Sequence, residues 1–534
     1  MTQHHDGDGP REPRTAHLTR REAVAASGAL AAGVGLAELG YAPAALAGGG
    51  SLPSLVALDA LELSRTIRTK RASCVEVMEA YLDHVERVNP RVNAIVSLRD
   101  RDRLVAEARG RDRQLARGRR LGWMHGFPHA VKDLSDVKGL RTTSGSPLFR
   151  DAPVAEEDDL FVERLRRAGV VLIGKTNTPE FGLGSQTYNP VFGTTLNAYD
   201  RALTAGGSSG GAAAALALRM LPVADGSDFG GSLRNPAAYN NVIGFRPSTG
   251  RVPSAGGDLW ITQLGVSGPM ARTIPDVACL LATMAGPDRR YPLSIEQDPD
   301  RFLEPLRRDF RGTRVGWLGD LGGHLPMEPG VVELCRRSFR ALEDVGCRVE
   351  EATPEFEPQR LWERVWLPWR HWLTGGGLVS YYEDPAKRAL LKPEAIYEVE
   401  GFLRLSARDV YRASVARSDW YRAVTGLFQR YDFLLLPSAQ VFPFDADVTW
   451  PREVAGRRMD TYHRWMEVVT PATLSGCPVI DVPVGFDGRG RPMGMQVIGR
   501  MHGERSVLQL AYAYEQATRW VSRRLPPLLA ELYP

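Results

Sequence analysis

Two serines and one lysine are the residues of this sequence whose types and surroundings could do chemistry. Ser208 lies in the run GGSSGG at 206–211, and Ser232 closes the run GSDFGGS at 226–232. Lys132 lies upstream in GFPHAVKD at 126–133, a mostly apolar stretch. Glycines let backbone N–H groups crowd around a reacting atom, and a neutral lysine can serve as a base. The three residues predict nucleophilic acyl transfer that requires no histidine.

The composition indicates a large globular protein without a nucleic-acid partner. The chain has 534 residues, of which 43% are hydrophobic and 24% charged. Its 67 basic and 63 acidic residues leave a net charge of +4, too small for a nucleic-acid-binding field. Only six of the basic residues are lysines. Arginine stays protonated, whereas a buried lysine can become neutral and act as a base. In a chain that uses arginine at most basic positions, the lysine at 132 therefore favours a role that arginine could not fill.

The first 47 residues are typical of an export signal. Arg20 and Arg21 precede an uncharged stretch at 23–37, and Ala45-Leu46-Ala47 offers a small-residue cleavage site. The pattern resembles a twin-arginine signal, which predicts a periplasmic or extracellular protein; an alanine-rich helix or tail is the alternative. The apolar run is too short for stable membrane insertion. Residues 48–51 would then be a flexible joint.

The rest of the chain, 52–534, alternates between helical and strand patterns. Helices are predicted at 161–168 and 212–220, and strands at 170–173 (ended by Gly174), 221–224, 433–436 and 479–484. This alternation predicts one large α/β domain. The five cysteines form no close-spaced metal motif and no disulfide framework, and no cofactor or metal is expected.

A tryptophan cluster marks the divergent stretch 359–423. Trp362, Trp366, Trp369 and Trp372 follow one another at spacings of four, three and three, which puts them on one stripe of a helix that Pro368 interrupts. Two interpretations stay open: aromatic packing of a peripheral helix, or an apolar wall that shapes the substrate pocket.

Two matches to known motifs are rejected because the residues in and around them predict the wrong secondary structure. The sequence at 169–176 fits the phosphate-loop pattern, but its four variable residues form a predicted strand and Pro179 prevents an immediate helix. The sequence at 206–210 fits the G-x-S-x-G elbow of Ser-His-Asp hydrolases, yet 197–205 is polar and turn-like rather than a strand. Neither a nucleotide site nor a conventional triad is therefore expected.

Taken together, the motifs resemble the amidase signature family over nearly all of the chain after the signal. The matching stretches, in order, are 126–133, 174–181 (GKTNTPEF), 206–232, 244–253 (GFRPSTGRVP), 268–272 (GPMAR), 476–480 (GCPVI) and 492–499 (PMGMQVIG). The resemblance implies a single domain with a central mixed β-sheet covered by helices.

The resemblance also implies roles for individual residues. Ser232 would be the nucleophile, Ser208 the bridging serine after a cis peptide bond from Gly207, and Lys132 the base. Backbone N–H groups of Phe229, Gly230, Gly231 and Ser232 would form the oxyanion hole, with Phe229 standing where the family often has threonine. Ser209 is the competing candidate for the bridging serine, and a structural Lys132–Asp133 ion pair is the competing interpretation of the lysine.

The implied activity is hydrolysis of a carboxylic amide to acid and amine through an acyl-enzyme. The expected partner is a small-molecule amide, and a bulky apolar or aryl amide is favoured among these. The oligomeric state stays open, and a homodimer is one of the possibilities. The alternative is the A-type subunit of a tRNA-dependent amidotransferase, which shares the family core. The export signal argues against that alternative, since its tRNA partner is cytoplasmic.

Overall fold

The computed structural model describes residues 52–261 and 264–534. The export signal predicted at 1–47 and the joint at 48–51 lie outside the described residues and stay predictions. Within the described residues, no helix is both long and apolar enough to cross a bilayer.

The architecture is built on an eight-stranded mixed sheet with the strand order β4-β6-β5-β12-β13-β9-β7-β8. Neighbours from β4 to β9 are antiparallel, whereas β9, β7 and β8 run parallel to one another. A second sheet has the order β1-β3-β2, and β10 pairs with β11. The strands are β1 Ile95–Val96, β2 Pro128–Lys132, β3 Val171–Thr176, β4 Ala224–Asp228, β5 Ile243–Arg246, β6 Val266–Ala271, β7 Arg314–Trp317, β8 Arg348–Glu351, β9 Phe433–Pro437, β10 Glu453–Val454, β11 Arg457–Arg458, β12 Val479–Phe486 and β13 Pro492–Ile498.

Helices cover both sheets and confirm the predicted α/β fold with a central mixed sheet. The α-helices are Ser54–Ala57, Ala60–Arg68, Cys74–Val88, Arg101–Ala116, Leu160–Ala168, Gly210–Ala217, Arg234–Tyr239, Ile274–Met284, Val331–Arg337, Phe339–Asp344, Pro358–Arg360, Leu367–Arg370, Gly376–Glu383, Pro385–Arg388, Pro393–Arg404, Ala407–Arg430, Thr470–Ser475, Glu504–Thr518, Trp520–Arg523 and Pro527–Leu532. Short 3-10 turns lie at Asn89–Arg91, Pro147–Phe149, Glu180–Gly182, Pro299–Leu303 and Arg464–Val469.

The helix Gly210–Ala217 joins the two sheets. It consists only of glycine, alanine and leucine, is buried throughout, and packs against β1, β3, β4 and β6. A Cβ on Gly211 would collide with the backbone of Asn177 and Ala94, so the close approach requires glycine there. The start of this helix, which follows Ser208 and Ser209, is thereby fixed in the middle of the protein.

Two of the predicted strands need correction. The strand predicted at 170–173 continues through Gly174 to Thr176, because β1 and the segment after it pass so close to Gly174 that only a glycine fits easily. The strand predicted at 221–224 begins only at Ala224 and runs to Asp228. Its residues Asp225, Ser227 and Asp228 are polar because they serve the site described below.

The tryptophan segment is one continuous helical stretch. Two π-helical segments, Leu361–Trp366 and His371–Gly375, flank the α-helical turn Leu367–Arg370 that contains Pro368. The expected interruption at Pro368 is therefore wrong. π-helical turns are rare, and those that occur are often found at functional sites. The side chains of this segment are therefore candidates for contacts with the site.

Candidate active site

Lys132 is the last residue of β2, and its amine lies among three serine hydroxyls. The side chain is buried, and Nζ lies 2.7 Å from Ser208 Oγ, 2.8 Å from Ser209 Oγ and 3.1 Å from Ser227 Oγ. The structure thus brings together the lysine and the serine block that the sequence singled out. Ser227, on β4, was not predicted to contact the lysine; its place in the 226–232 run was the only signal.

Burial sets the protonation of the lysine. Desolvation lowers the pKa of the Lys132 amine to about 7, although the charges of Asp225 and Asp228 act in the opposite direction. The carboxylate of Asp225 is committed elsewhere: it accepts a hydrogen bond from the Lys132 backbone N–H (3.1 Å) and pairs with His129 Nε2 (2.9 Å). These contacts join β2 to β4 and leave the amine with hydroxyl partners.

Asp133 does not pair with Lys132. It accepts a hydrogen bond from the Thr143 hydroxyl, and its Oδ1 lies 3.9 Å from Nζ of Lys175. The interpretation of Lys132 as the partner of Asp133 in a structural ion pair is therefore wrong. Lys175, the lysine closer to Asp133, is a buried residue of β3 whose amine also donates a hydrogen bond to the Ser135 carbonyl.

Ser208 follows a cis peptide bond from Gly207, as the resemblance implies. A Cβ on Gly207 would lie 3.1 Å from backbone atoms of Ser185 and Gln186, so the packing of this loop favours glycine. Ser209 is equally close to the lysine, so the distance to Nζ does not by itself distinguish the two serines. Ser209 Oγ also lies 3.4 Å from both the N and the O of Ser227, which directs it towards β4.

Ser232 lies at the end of the loop that follows β4. Its carbonyl accepts a hydrogen bond from the Ser209 backbone N–H at 3.3 Å, which ties the two glycine–serine runs together. The residue is 7% exposed, compared with 2% for Ser208 and 1% for Lys132. Ser232 is therefore the least buried of the three candidate catalytic residues.

Asp228 fixes the shape of this loop. Its carboxylate accepts hydrogen bonds from the backbone N–H groups of Gly231 (2.9 Å) and Leu233 (3.1 Å) and pairs with Arg234 and Arg246. Burial alone would raise the pKa of the carboxyl, but the two arginines hold it well below its usual range. Asp228 and Arg234 therefore brace the loop.

The predicted oxyanion donors are not all free. The Gly231 N–H is engaged by Asp228, whereas the N–H groups of Phe229, Gly230 and Ser232 make no backbone or side-chain hydrogen bond within the described residues. Gly231 has φ +94°, a conformation that favours glycine. The loop therefore offers three unengaged donors rather than the four that the resemblance implies.

The tryptophan cluster divides into two pairs. Trp362 and Trp366 are each 1% exposed and stack at 6.2 Å, and Trp366 packs edge-on against Phe229 at 6.0 Å. Trp369 and Trp372 pack on each other at 5.1 Å. Trp366 packs against the loop 229–232, which we call the oxyanion loop after the role that the resemblance implies. Because Trp366 is nearly fully covered, it does not form an apolar wall for substrate.

Arg370, which the sequence reasoning missed, lies under the same loop. Its guanidinium lies 5.0 Å from the Phe229 ring centre and is held by Glu398 (2.9 Å) and the Tyr462 hydroxyl (2.7 Å). Burial would raise the pKa of the Glu398 carboxyl, but Arg370 and two histidines, His371 among them, lower it to about 2. No local motif marks this contact, because the participating residues are far apart in sequence.

Gly230→Ala is expected to lower kcat by about 10²-fold, the effect of displacing one oxyanion donor. A Cβ at Gly230 would lie 2.7 Å from Cη2 of Trp366, so the loop must shift. The matched control is Gly377→Ala, at a helical glycine whose Cβ would have no neighbour within 4 Å. Steady-state rates and a thermal melt of both variants check this; equal rates would show that the loop tolerates the methyl group.

Comparison with known proteins identifies the family of this chain. A model of the family described as Amidase matches residues 76–508. The chain belongs to the amidase signature family. It is 34% identical to an acylamidase of Rhodococcus erythropolis over 471 residues, covering 88% of this chain and 97% of that one. It is 32% identical to the A-type subunit of the glutamyl-tRNA(Gln) amidotransferase of Thermosynechococcus vestitus over 482 residues, covering 86% and 98%.

The structural comparison gives the same family. The crystal structure of a bacterial aryl acylamidase of this amidase family superposes with a TM-score of 0.81 at 27% identity, covering 87% of this chain and 97% of that one. The amidase is accordingly a hydrolase that acts on amide bonds.

Proposed function

We propose that this amidase hydrolyses a carboxylic amide to acid and amine through a seryl acyl-enzyme. Ser232 Oγ attacks the carbonyl carbon while its proton passes to Ser208 and a proton of Ser208 passes to Nζ of Lys132. The C–N bond then breaks, and the departing nitrogen takes a proton back through Ser208, which leaves an ester on Ser232. Water attacks that ester with the lysine again as base, which releases the acid and restores the enzyme.

One observation supports this mechanism above the others: a buried amine with a pKa of about 7 is hydrogen bonded to Ser208. A lysine of ordinary pKa would be almost fully protonated near neutral pH and could not take a proton. The charge that develops on the carbonyl oxygen would be met by the unengaged N–H groups of Phe229, Gly230 and Ser232.

The pH dependence of kcat/KM follows from the same pKa. The base works only when neutral, so kcat/KM is expected to rise with pH, to be half-maximal near pH 7 and to level off above it. Rates measured between about pH 5 and pH 9 on one amide check this, with circular dichroism as the control for folding. A rate that is constant across this range would mean that Lys132 does not titrate there.

We propose a bulky apolar or aryl amide as the substrate. The rings of Phe229, Phe181 and Phe149 are half-buried; Phe229 lies in the second glycine–serine run, and Gly182, next to Phe181, packs against Ser208. Relatives named acylamidase and aryl acylamidase support the same substrate class. Burial of apolar substrate surface contributes about 0.8 kcal/mol per methylene group, so larger apolar groups bind more tightly.

A panel of amides tests both parts of this proposal on the full chain. Anilides, long-chain amides and acetamide are compared by kcat/KM, and intact mass after an acid quench detects the acyl group. We expect kcat/KM for the bulky amides to exceed that for acetamide at least about tenfold. A preference for acetamide would contradict the substrate class, and turnover without an adduct on Ser232 would contradict the mechanism.

A second candidate is an amidotransferase A-type subunit, because the amidotransferase relative is nearly as similar as the acylamidase. Purification of the tagged chain from its own cells separates the two. Copurification with a tRNA-binding subunit would favour this candidate, whereas amide hydrolysis by the isolated chain favours the amidase.

We also propose that the protein acts outside the cytoplasm by way of the twin-arginine route. Replacement of Arg20 and Arg21 by lysine is expected to retain the protein in the cytoplasm, as judged by immunoblots of cell fractions. Unchanged export of this variant would contradict the proposal. Glu22→Gln, next to the pair, is the control that leaves both arginines in place.

A further inference from the structure

A cluster of three aromatic side chains includes the residue next to Gly182, the glycine that packs against Ser208. Phe149 and Phe181 meet edge to face at 6.0 Å, Phe149 and Tyr381 at 5.6 Å, and Phe181 stacks with Tyr381 at 6.5 Å. They come from three separate segments, and each ring is half-buried rather than enclosed. We refer to Phe149, Phe181 and Tyr381 as the aromatic triad.

The triad is next to the bridging serine. Gly182 packs directly against Ser208: a Cβ there would lie 3.4 Å from Ser208 Oγ and 2.9 Å from Leu134 Cδ1. Phe181 precedes Gly182 and has φ +54°, a left-handed conformation that a phenylalanine rarely adopts. Its N–H donates to the Ser144 carbonyl at 2.8 Å, which helps to hold it there. Such strain at a site suggests that the position of this ring is needed.

The path of the proton through Ser208 indicates which part of a substrate would lie next to the aromatic triad. In the proposed function, on which this inference rests, the departing nitrogen takes its proton from Ser208. The amine half of the amide must therefore lie on the Ser208 side, and the carbonyl oxygen must point to the loop of Phe229 and Gly230. Gly182 packs against Ser208 without a side chain, and Phe181 of the triad is its neighbour in the chain, which makes the triad the candidate site for an amine substituent.

We propose that the aromatic triad is the leaving-group subsite and that it takes the aryl ring of an N-aryl amide. Aromatic rings prefer offset or edge-to-face partners at 4.5–7 Å, and rings already arranged at 5.6–6.5 Å present both faces and edges. The triad contains no charged group, which favours a neutral arylamine over a charged amine. The substrate class is thereby narrowed to anilides and related arylamides.

Phe181 and Tyr381 of the triad also pack against a small apolar cluster that includes Leu183, Leu378 and Val399. A role in packing alone would make its variants less stable and would lower the rate for every substrate alike. A leaving-group subsite predicts a different result, because only substrates with an aryl amine would be affected.

The experiment compares Tyr381→Leu and Phe149→Leu with Tyr382→Leu in the full chain. Tyr382 is the next residue of the same helix, and its ring lies under Arg388 at 4.0 Å and outside the triad. The substrates share the acyl group that the wild type prefers and differ in the amine: aniline, cyclohexylamine or ammonia. We expect kcat/KM for the anilide to fall about three- to tenfold in the triad variants, and less than about twofold for the other two amides. Tyr382→Leu is expected to leave all three ratios unchanged.

Rapid-quench kinetics add a second readout. The amine has left before the ester is hydrolysed, so the triad variants are expected to slow acylation by the anilide and to leave the deacylation rate unchanged. Equal losses on all three amides, a loss that follows the acyl group, or a wild type that does not prefer anilides would overturn the subsite. Absence of an acyl-enzyme in the wild type would instead overturn the proposed function itself.

Discussion

Replacement of Ser232 by alanine is expected to lower kcat by about 10⁴-fold or more and to abolish the acyl-enzyme. The nucleophile has no substitute in the mechanism, because the ester intermediate forms on its oxygen. Removal of a nucleophilic serine from a related kind of catalytic group costs about 10⁶ in kcat, and the oxyanion donors and substrate binding account for what remains. The oxyanion loop should keep its shape, since Asp228 and the two arginines hold its backbone.

Intact-mass spectrometry after an acid quench checks this prediction together with the steady-state rate. Labelling with a fluorophosphonate should likewise disappear in Ser232→Ala. The matched control is Ser418→Ala, which removes an exposed hydroxyl whose only hydrogen bond in the described chain is to the Ser414 carbonyl. An adduct that persists in Ser232→Ala, at a rate like that of the control, would assign the nucleophile to another residue.

The sequence singled out the candidate site residues more readily than their surroundings. Ser208 and Ser232 lie in glycine-rich runs and Lys132 in a mostly apolar stretch, and the resemblance to the amidase signature family implied their roles. Strand β9 was predicted from a continuous apolar run, and β12 from a run that is apolar except for Asp481. A buried strand appears in the sequence as a run of apolar residues, whereas an active site depends on single residues whose contacts the sequence does not show.

Strand β4 was misplaced for a physical reason. Asp225, Ser227 and Asp228 look like a loop because strands at a sheet edge seldom carry so many buried polar residues. Here Asp225 joins β4 to β2, Ser227 contacts the lysine, and Asp228 braces the oxyanion loop. The contacts of Asp225 and Ser227 are with Lys132, 93 and 95 positions away, so the local sequence pattern does not show them.

The support behind the oxyanion loop could not be predicted at all. Trp366 and Arg370 reach Phe229 across about 140 positions of sequence, and the π-helical segments on either side set their directions. Pro368 is a helix breaker by any local rule. Only the packed structure shows that the helix passes through it and that Trp366 is covered.

Ser208→Ala is expected to lower kcat by about 10³-fold, whereas Ser209→Ala should cost less than about tenfold. Both hydroxyls lie within 2.8 Å of Nζ of Lys132, so the two variants are closely matched. A charged lysine donates to all three serines, but a neutral amine has one lone pair and must accept one hydrogen bond. Ser208 would donate that bond during the relay, because Ser209 Oγ is directed towards Ser227 on β4.

The pH profile gives an independent readout of the same pair. Loss of the Ser209 hydroxyl removes one acceptor from the charged amine, which disfavours the charged form and should move the rising limb of kcat/KM to lower pH. Ser209→Ala is therefore expected to stay active with a shifted limb, while Ser208→Ala is expected to lose activity at every pH. A larger loss in Ser209→Ala than in Ser208→Ala would exchange the two roles, and equal small losses would mean that Ser232 passes its proton to the lysine without either hydroxyl.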